Sequence, residues 1–190
     1  VNVKFSDITE KYISEAHIII YVCNSVNTLK DSHKEIIRKV LRDYNKLEST
    51  IFVINKMDDV ADTNDEEEYA EVSEIKRNTF IERLRQVIGL THDEEKDLNI
   101  ACIAANPKAK GLSAWFEKPE EYNRRSHISQ LANCVTIVTQ NSDVAVLHNN
   151  TNLAVAKDIA QAIAISVSNK VVQLKTALAE VNSSVADMEN

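Results

Sequence analysis

The run Ile51-Phe52-Val53-Ile54-Asn55-Lys56-Met57-Asp58 constrains the fold more than any other stretch of the chain. Four consecutive apolar residues, β-branched or aromatic, suit a strand buried on both faces. The run then breaks into Asn55, Lys56 and Asp58 around Met57, so the strand delivers three polar side chains to its carboxyl end. Strands buried on both faces belong to parallel sheets covered by helices. In such open sheets ligands bind outside the carboxyl ends of the strands. The chain is therefore expected to be α/β, with its site where Asn55, Lys56 and Asp58 stand.

The flanking segments fit that frame. Phe5, Ile8, Tyr12 and Ile13 recur at helical spacing, with Ser6 as a cap. Ala16 to Cys23 is a second buried strand, with His17 at its entrance as a strand-end residue. Ser32 and Glu35 form a capping-box pattern. Ile36, Ile37, Val40, Leu41, Tyr44 and Leu47 then mark one face of a helix. The order helix, strand, helix, strand predicts parallel crossovers.

Between Asp58 and Glu74 the chain is acidic, with Asp62, Asp65, Glu66, Glu67, Glu68 and Glu71. A calcium loop of the EF-hand kind needs a Gly at its turn, and none is present, so a solvated loop and helix start is expected. Tyr69, Val72, Phe80, Leu84, Val87 and Ile88 predict the next helix, closed by Gly89. Leu98 to Ala105 is a third strand ending in Ala105-Asn106-Pro107. Trp115 is expected to be a packing anchor, and Tyr122 to about Asn141 a further helix.

The last part differs. Leu153, Ala156, Ala160, Ile163, Val167, Val171, Leu174, Leu178, Val181, Val185 and Met188 recur at alternating spacings of three and four, which predicts a buried seam in a helical bundle. The chain thus divides into an α/β part, 1–143, and a helical segment, 144–190.

A formal charge of -7 disfavours nucleic acid and anionic membranes as bulk electrostatic partners. Cys23, Cys102 and Cys134 are odd in number and widely spaced, which reads as reduced thiols in the cytosol. No metal-ligand spacing stands out, and no run is long and apolar enough to span a membrane. The chain starts at Val1, inside a helical pattern, and holds 2 Gly, well below the usual ~7%. Both features lead to the expectation that a piece precedes it.

Asn55, Lys56 and Asp58 match the Asn-Lys-x-Asp pattern of GTP-binding proteins, which arises by chance on the order of once in several thousand positions. The resemblance implies that the Asp58 carboxylate accepts hydrogen bonds from the guanine edge. It also implies that the Lys56 stem lies on the ring and that Asn55 braces the loop. Adenine would leave that carboxylate unpaired, which is how such a site discriminates. Ala104-Ala105-Asn106 sits where the family has its Ser-Ala-x loop, leaving the Ala105 backbone N–H for the guanine oxygen. Lys4 to Glu15 resembles the helix after switch II, and Ala16 to Cys23 the strand beside the P-loop strand.

Taken with the acidic insertion, the Trp115 to Tyr122 loop and the helical tail, the chain resembles bacterial dynamin-like GTPases. The fold implied is the second half of a GTPase domain, a partial P-loop NTPase-like parallel sheet, followed by an α-helical bundle segment. The resemblance implies GTP or GDP with Mg in the parent protein, a cytoplasmic location, peripheral membrane contact and membrane remodelling. A P-loop needs G-x-x-x-x-G-K-[ST], and neither Gly89 nor Gly111 can begin or end one. With no phosphate-holding or metal-holding residues, this chain alone is expected to bind no nucleotide and to be inactive. Its implied partner is the N-terminal half of the GTPase domain, or a second copy paired through the Ala16 to Val22 strand. Two alternatives stand beside this reading: a non-catalytic assembly module, and a complete small α/β protein with an unrelated ligand.

Overall fold

The computed structural model describes residues 12–141 and 144–188. The expected helix over Phe5 to Ile13, with Ser6 as its cap, lies mostly outside them; residues 12–15 are helical. Three strands follow: β1 (Ile19–Asn24), β2 (Thr50–Asn55) and β3 (Asn99–Cys102). They form one parallel sheet in the order β1-β2-β3. Both outer strands are shorter than the sequence reading. β1 starts at Ile19 rather than Ala16, and β3 ends at Cys102 because its next residues turn towards β2's end.

Alternation along β2 splits the core into two layers. Phe52 and Ile54 face one side with Leu41, Tyr44, Phe80 and Leu84, while Ile51 and Val53 face the other with Ala101, Cys134 and Val138. The first layer is roofed by α1 (Lys34–Arg38), which continues as a π-helical turn over Lys39–Asp43, and by α2 (Glu66–Ile88). The Ser32 to Glu35 capping box is not formed, since the helix is entered through a 3-10 turn over Asp31–His33 with no side-chain cap.

The acidic segment supplies α2's start. Asp65 caps it by accepting from the N–H groups of Glu67 and Glu68, and Glu66, Glu67 and Glu68 fill a first turn where negative charge is favoured. Gly89 ends it in the left-handed conformation, φ 63°. A short α3 (His92–Lys96) follows with a capping box between Thr91 and Glu94. Glu94 also pairs with Arg42 (Nη2 to Oε2, 2.9 Å). The Arg42 hydrogen bond, with the Thr91 N–H, holds the Glu94 carboxyl down at about 2.

Beyond β3 come α4 (Leu112–Phe116), α5 (Pro119–Ser126) and α6 (Ile128–Asn141). The single helix expected from Tyr122 to Asn141 is two helices, broken at His127, whose φ is 50°. The break frees the Ser126 carbonyl to accept from the Ala104 N–H at 2.9 Å. α6 covers β2 and β3 on the second face and leaves β1 open there. Ile20 and Val22, in register with Ile51 and Val53, are 48% and 58% exposed.

The tail is one helix, α7 (Val144–Met188). It is anchored at its start, where Ala154 is buried, the Tyr44 hydroxyl donates to Asp158 at 2.9 Å and Lys157 Nζ donates to the Asp43 carbonyl. Lys46 is buried beside it and donates to Thr151 Oγ1 at 2.9 Å and to the Ala16 carbonyl at 2.7 Å. The seam is not buried: Ile163, Val167, Leu174 and Leu178 are all more than half exposed. No described element lies against that length of helix, and the side chains of Val185 and Met188 are outside the described residues. No described helix is long and apolar enough to cross a membrane.

Candidate functional site

The polar residues that end β2 stand on a rim shared with the loop after β3. Lys56 takes a left-handed conformation, φ 61° and ψ 43°, which a non-glycine residue holds only with local support. Two bonds give it. Asn55 Oδ1 accepts from the Lys56 N–H at 2.7 Å, and Ser25 Oγ donates to the Lys56 carbonyl at 2.7 Å. Met57, fully buried, donates its N–H to the Ile103 carbonyl at 3.1 Å, so the turn is stitched to the end of β3.

Asn55 Oδ1 also accepts from the Ala105 N–H at 3.0 Å. One side chain therefore braces both loops. This corrects the expectation that the Ala105 N–H stands available, since it is already engaged. Among the described residues the next backbone donor, the Asn106 N–H, has no partner. The Asn106 side chain is not free either: Oδ1 accepts from the Gly111 N–H at 2.8 Å. Asp58 Oδ2 accepts from the Lys108 N–H at 2.7 Å, while Oδ1 has no protein partner among the described residues. The rim thus presents an open carboxylate oxygen on Asp58 and an open N–H on Asn106.

The loop is held from below. Trp115, 1% exposed, donates its indole N–H to the Pro107 carbonyl at 3.2 Å. Tyr122 Oη donates to the Ala105 carbonyl at 3.1 Å. Lys108 and Ala109 both have positive φ, 56° and 53°, so the loop's shape rests on these ties. Lys56 and Asn55 also line a cavity of about 260 Å³ with Asn24 and Lys30, at the carboxyl ends of β1 and β2. Sequence reasoning missed Ser25, Tyr122 and Lys108. Ser25's place directly after β1 was the one available signal.

Guanine offers two donors on one edge and an adjacent carbonyl oxygen. Asp58 and Asn106 supply an acceptor and a donor, the group types that meet such an edge. Among the described residues no group of three or more His, Cys, Asp or Glu could hold a metal ion.

Residues 90–190 match the family model described as the dynamin-like helical domain. Among solved structures, the chain is similar to "LeoA bacterial dynamin GTPase from ETEC", at 46% identity and a TM-score of 0.71. The match covers 83% of this chain and 28% of that one. No curated protein matches.

Proposed function

The chain belongs to the dynamin-like protein family, and on that premise we propose that it forms the guanine-reading part of a GTPase domain with the start of its helical region. The division falls near residue 143. The observation that carries the reading is the pairing of Asn55 with the Ala105 N–H, which sets the open oxygen of Asp58 and the open N–H of Asn106 on one rim. In the parent protein Asp58 accepts from the guanine edge and the Asn106 N–H meets the guanine oxygen. Lys56 supplies the stem against the ring, and Asn55 and Ala105 act as the brace.

The parent binds GTP or GDP with Mg through residues outside these 190, and works in the cytoplasm and at membrane surfaces that it remodels. Phosphoryl transfer rests on positioning and charge around the phosphates, so this chain alone neither holds GTP tightly nor hydrolyses it.

The test is Asp58→Asn in the parent protein, with affinities for GTP and xanthosine triphosphate measured by calorimetry. The amide keeps an oxygen for the Lys108 N–H and turns a donor towards the base. GTP affinity is expected to fall by about tenfold or more, and xanthosine triphosphate affinity to rise. Unchanged GTP affinity removes Asp58 from the site.

A second reading, a module that pairs with another chain, is favoured by the outer edge of β1. No described strand pairs there, and Ile20 and Val22 lie exposed beside it. Such an edge takes up another strand, either from the N-terminal half of the GTPase domain or from a second copy.

A further inference from the structure

Four residues whose side-chain donors have no acceptor among the described residues line one cavity at the carboxyl ends of β1 and β2: Lys30, Lys56, Asn24 and Asn55. The cavity, about 260 Å³, has room for a tetrahedral oxyanion with water around it. Tyr21 and His33 add an aromatic wall, with Tyr21 Oη 3.3 Å from His33 Nδ1 and the rings edge to face. Lys30 and Lys56 are exposed and neither amide nitrogen is buried, so all four donors can be reached from solvent.

Backbone bonds decide what the two amides offer. Asn24 Oδ1 accepts from the Val26 N–H at 2.8 Å. Asn55 Oδ1 is taken by the Lys56 and Ala105 N–H groups. In both residues the oxygen is therefore engaged, and the NH2 is the end left to a ligand. A lysine ammonium also donates only. No Asp or Glu lies in the described lining, although the chain carries 29 acidic residues against 22 basic ones. The carboxylate next to Lys30 in sequence, Asp31, is paired with Lys34 at 2.7 Å, and Asp58 is tied to the Lys108 N–H. A cavity that offers donors and positive charge, with no carboxylate to compete, suits an anion.

We propose that this cavity binds a phosphate group, with Lys30, Lys56 and the Asn24 and Asn55 amides donating to its oxygens. Phosphate brings more negative charge and more acceptor oxygens than acetate or chloride, so two ammonium groups favour it. The site has no glycine-rich backbone cradle of the P-loop kind. Its attraction comes from exposed side chains and weakens as salt is added. Lys56 and Asn55 are shared with the base-reading rim, whereas Lys30 and Asn24 belong to this cavity alone. The phosphate group is either a free ion or part of a nucleotide whose base lies on that rim.

The test is a titration of the protein with sodium phosphate at constant ionic strength, followed by nitrogen-15 NMR at the Asn24 and Asn55 side-chain amides. Saturable shifts are expected at both, with acetate and chloride binding at least about fivefold more weakly. Lys30→Gln alters an exposed side chain and is expected to weaken phosphate by about threefold or more. Lys175→Gln makes the same charge change far along α7 and is expected to leave it unaltered. Asn24→Asp keeps an oxygen for the Val26 N–H but places a negative charge in the cavity, and is expected to weaken phosphate by about tenfold or more. Guanosine monophosphate distinguishes the two sources. Affinity equal to that of phosphate marks a free-ion site, and affinity about tenfold tighter or more marks a nucleotide phosphate. The phosphate arm contains no base, so its result stands apart from that of Asp58→Asn. Shifts that do not saturate, equal losses in Lys30→Gln and Lys175→Gln, or phosphate binding unaltered in Asn24→Asp would each overturn the proposal.

Discussion

Asn55→Ala removes the acceptor that the β2 turn and the loop after β3 share. Two N–H groups lose their partner, Lys56 at 2.7 Å and Ala105 at 3.0 Å. Lys56 is exposed, so water replaces its bond and the loss there is at the low end, about 0.5 kcal/mol. The Ala105 N–H is part-buried, and its loss is worth about 1–1.5 kcal/mol. Lys56 also loses one of the two bonds that hold its left-handed backbone. The total is roughly 2 kcal/mol, enough to lower the folded-to-unfolded ratio by about thirtyfold. Asn55→Asp keeps the oxygen and both bonds, so it should stay within about 0.5 kcal/mol of the parent. Urea denaturation measures the stability, and hydrogen exchange reads the Ala105 amide directly. Expected are fast exchange at Ala105 in the alanine variant and protection in the aspartate variant. Equal protection of Ala105 in both would refute the bracing role, whatever the global stability did.

Two further outcomes follow from the fold. Lys46→Met retains packing volume but strips the Ala16 carbonyl and Thr151 Oγ1 of their donor. A loss of about 1–3 kcal/mol is expected, with faster amide exchange from Thr151 to Asp158; unaltered exchange there rules out Lys46 as the tie between α7 and the sheet. Ile20→Lys with Val22→Lys changes two exposed side chains, so denaturation should move little, while burying each at an interface is worth roughly 1.5–3 kcal/mol. Light scattering should show at least tenfold weaker self-association or weaker capture of the N-terminal half, and association left as strong would exclude this edge as the interface.

Much of the architecture was legible in residue order because it rests on local signals. The apolar run of Ile51 to Ile54 is uninterrupted, and its burial on both faces follows from that alone. Gly89 ends α2 because a left-handed backbone is easy only for glycine. Trp115 is the buried packing anchor expected of it. The tetrad Asn55 to Asp58 also marked its own place at a strand end, since a strand's direction decides which residues leave the sheet.

Other features depended on what lies nearby in space. Ser32 and Glu35 have the spacing of a capping box, yet the chain enters α1 through a 3-10 turn and the box goes unused. The helix after Tyr122 breaks at His127 because the Ser126 carbonyl is needed by Ala104, twenty-two residues earlier in the chain. The Ala105 N–H is taken by Asn55 across fifty residues, a bond that no window of sequence contains. The seam of α7 shows the same limit from the opposite side. Its three-and-four spacing is a property of one helix, but burial needs a second surface, and no described element supplies one. Periodicity and capping are set by neighbours a few residues apart, so sequence alone located the three strands, α2 and the tetrad. Which donor stays open for a ligand is decided by contacts between distant segments, and only the tertiary structure could assign the open positions to Asp58 and Asn106.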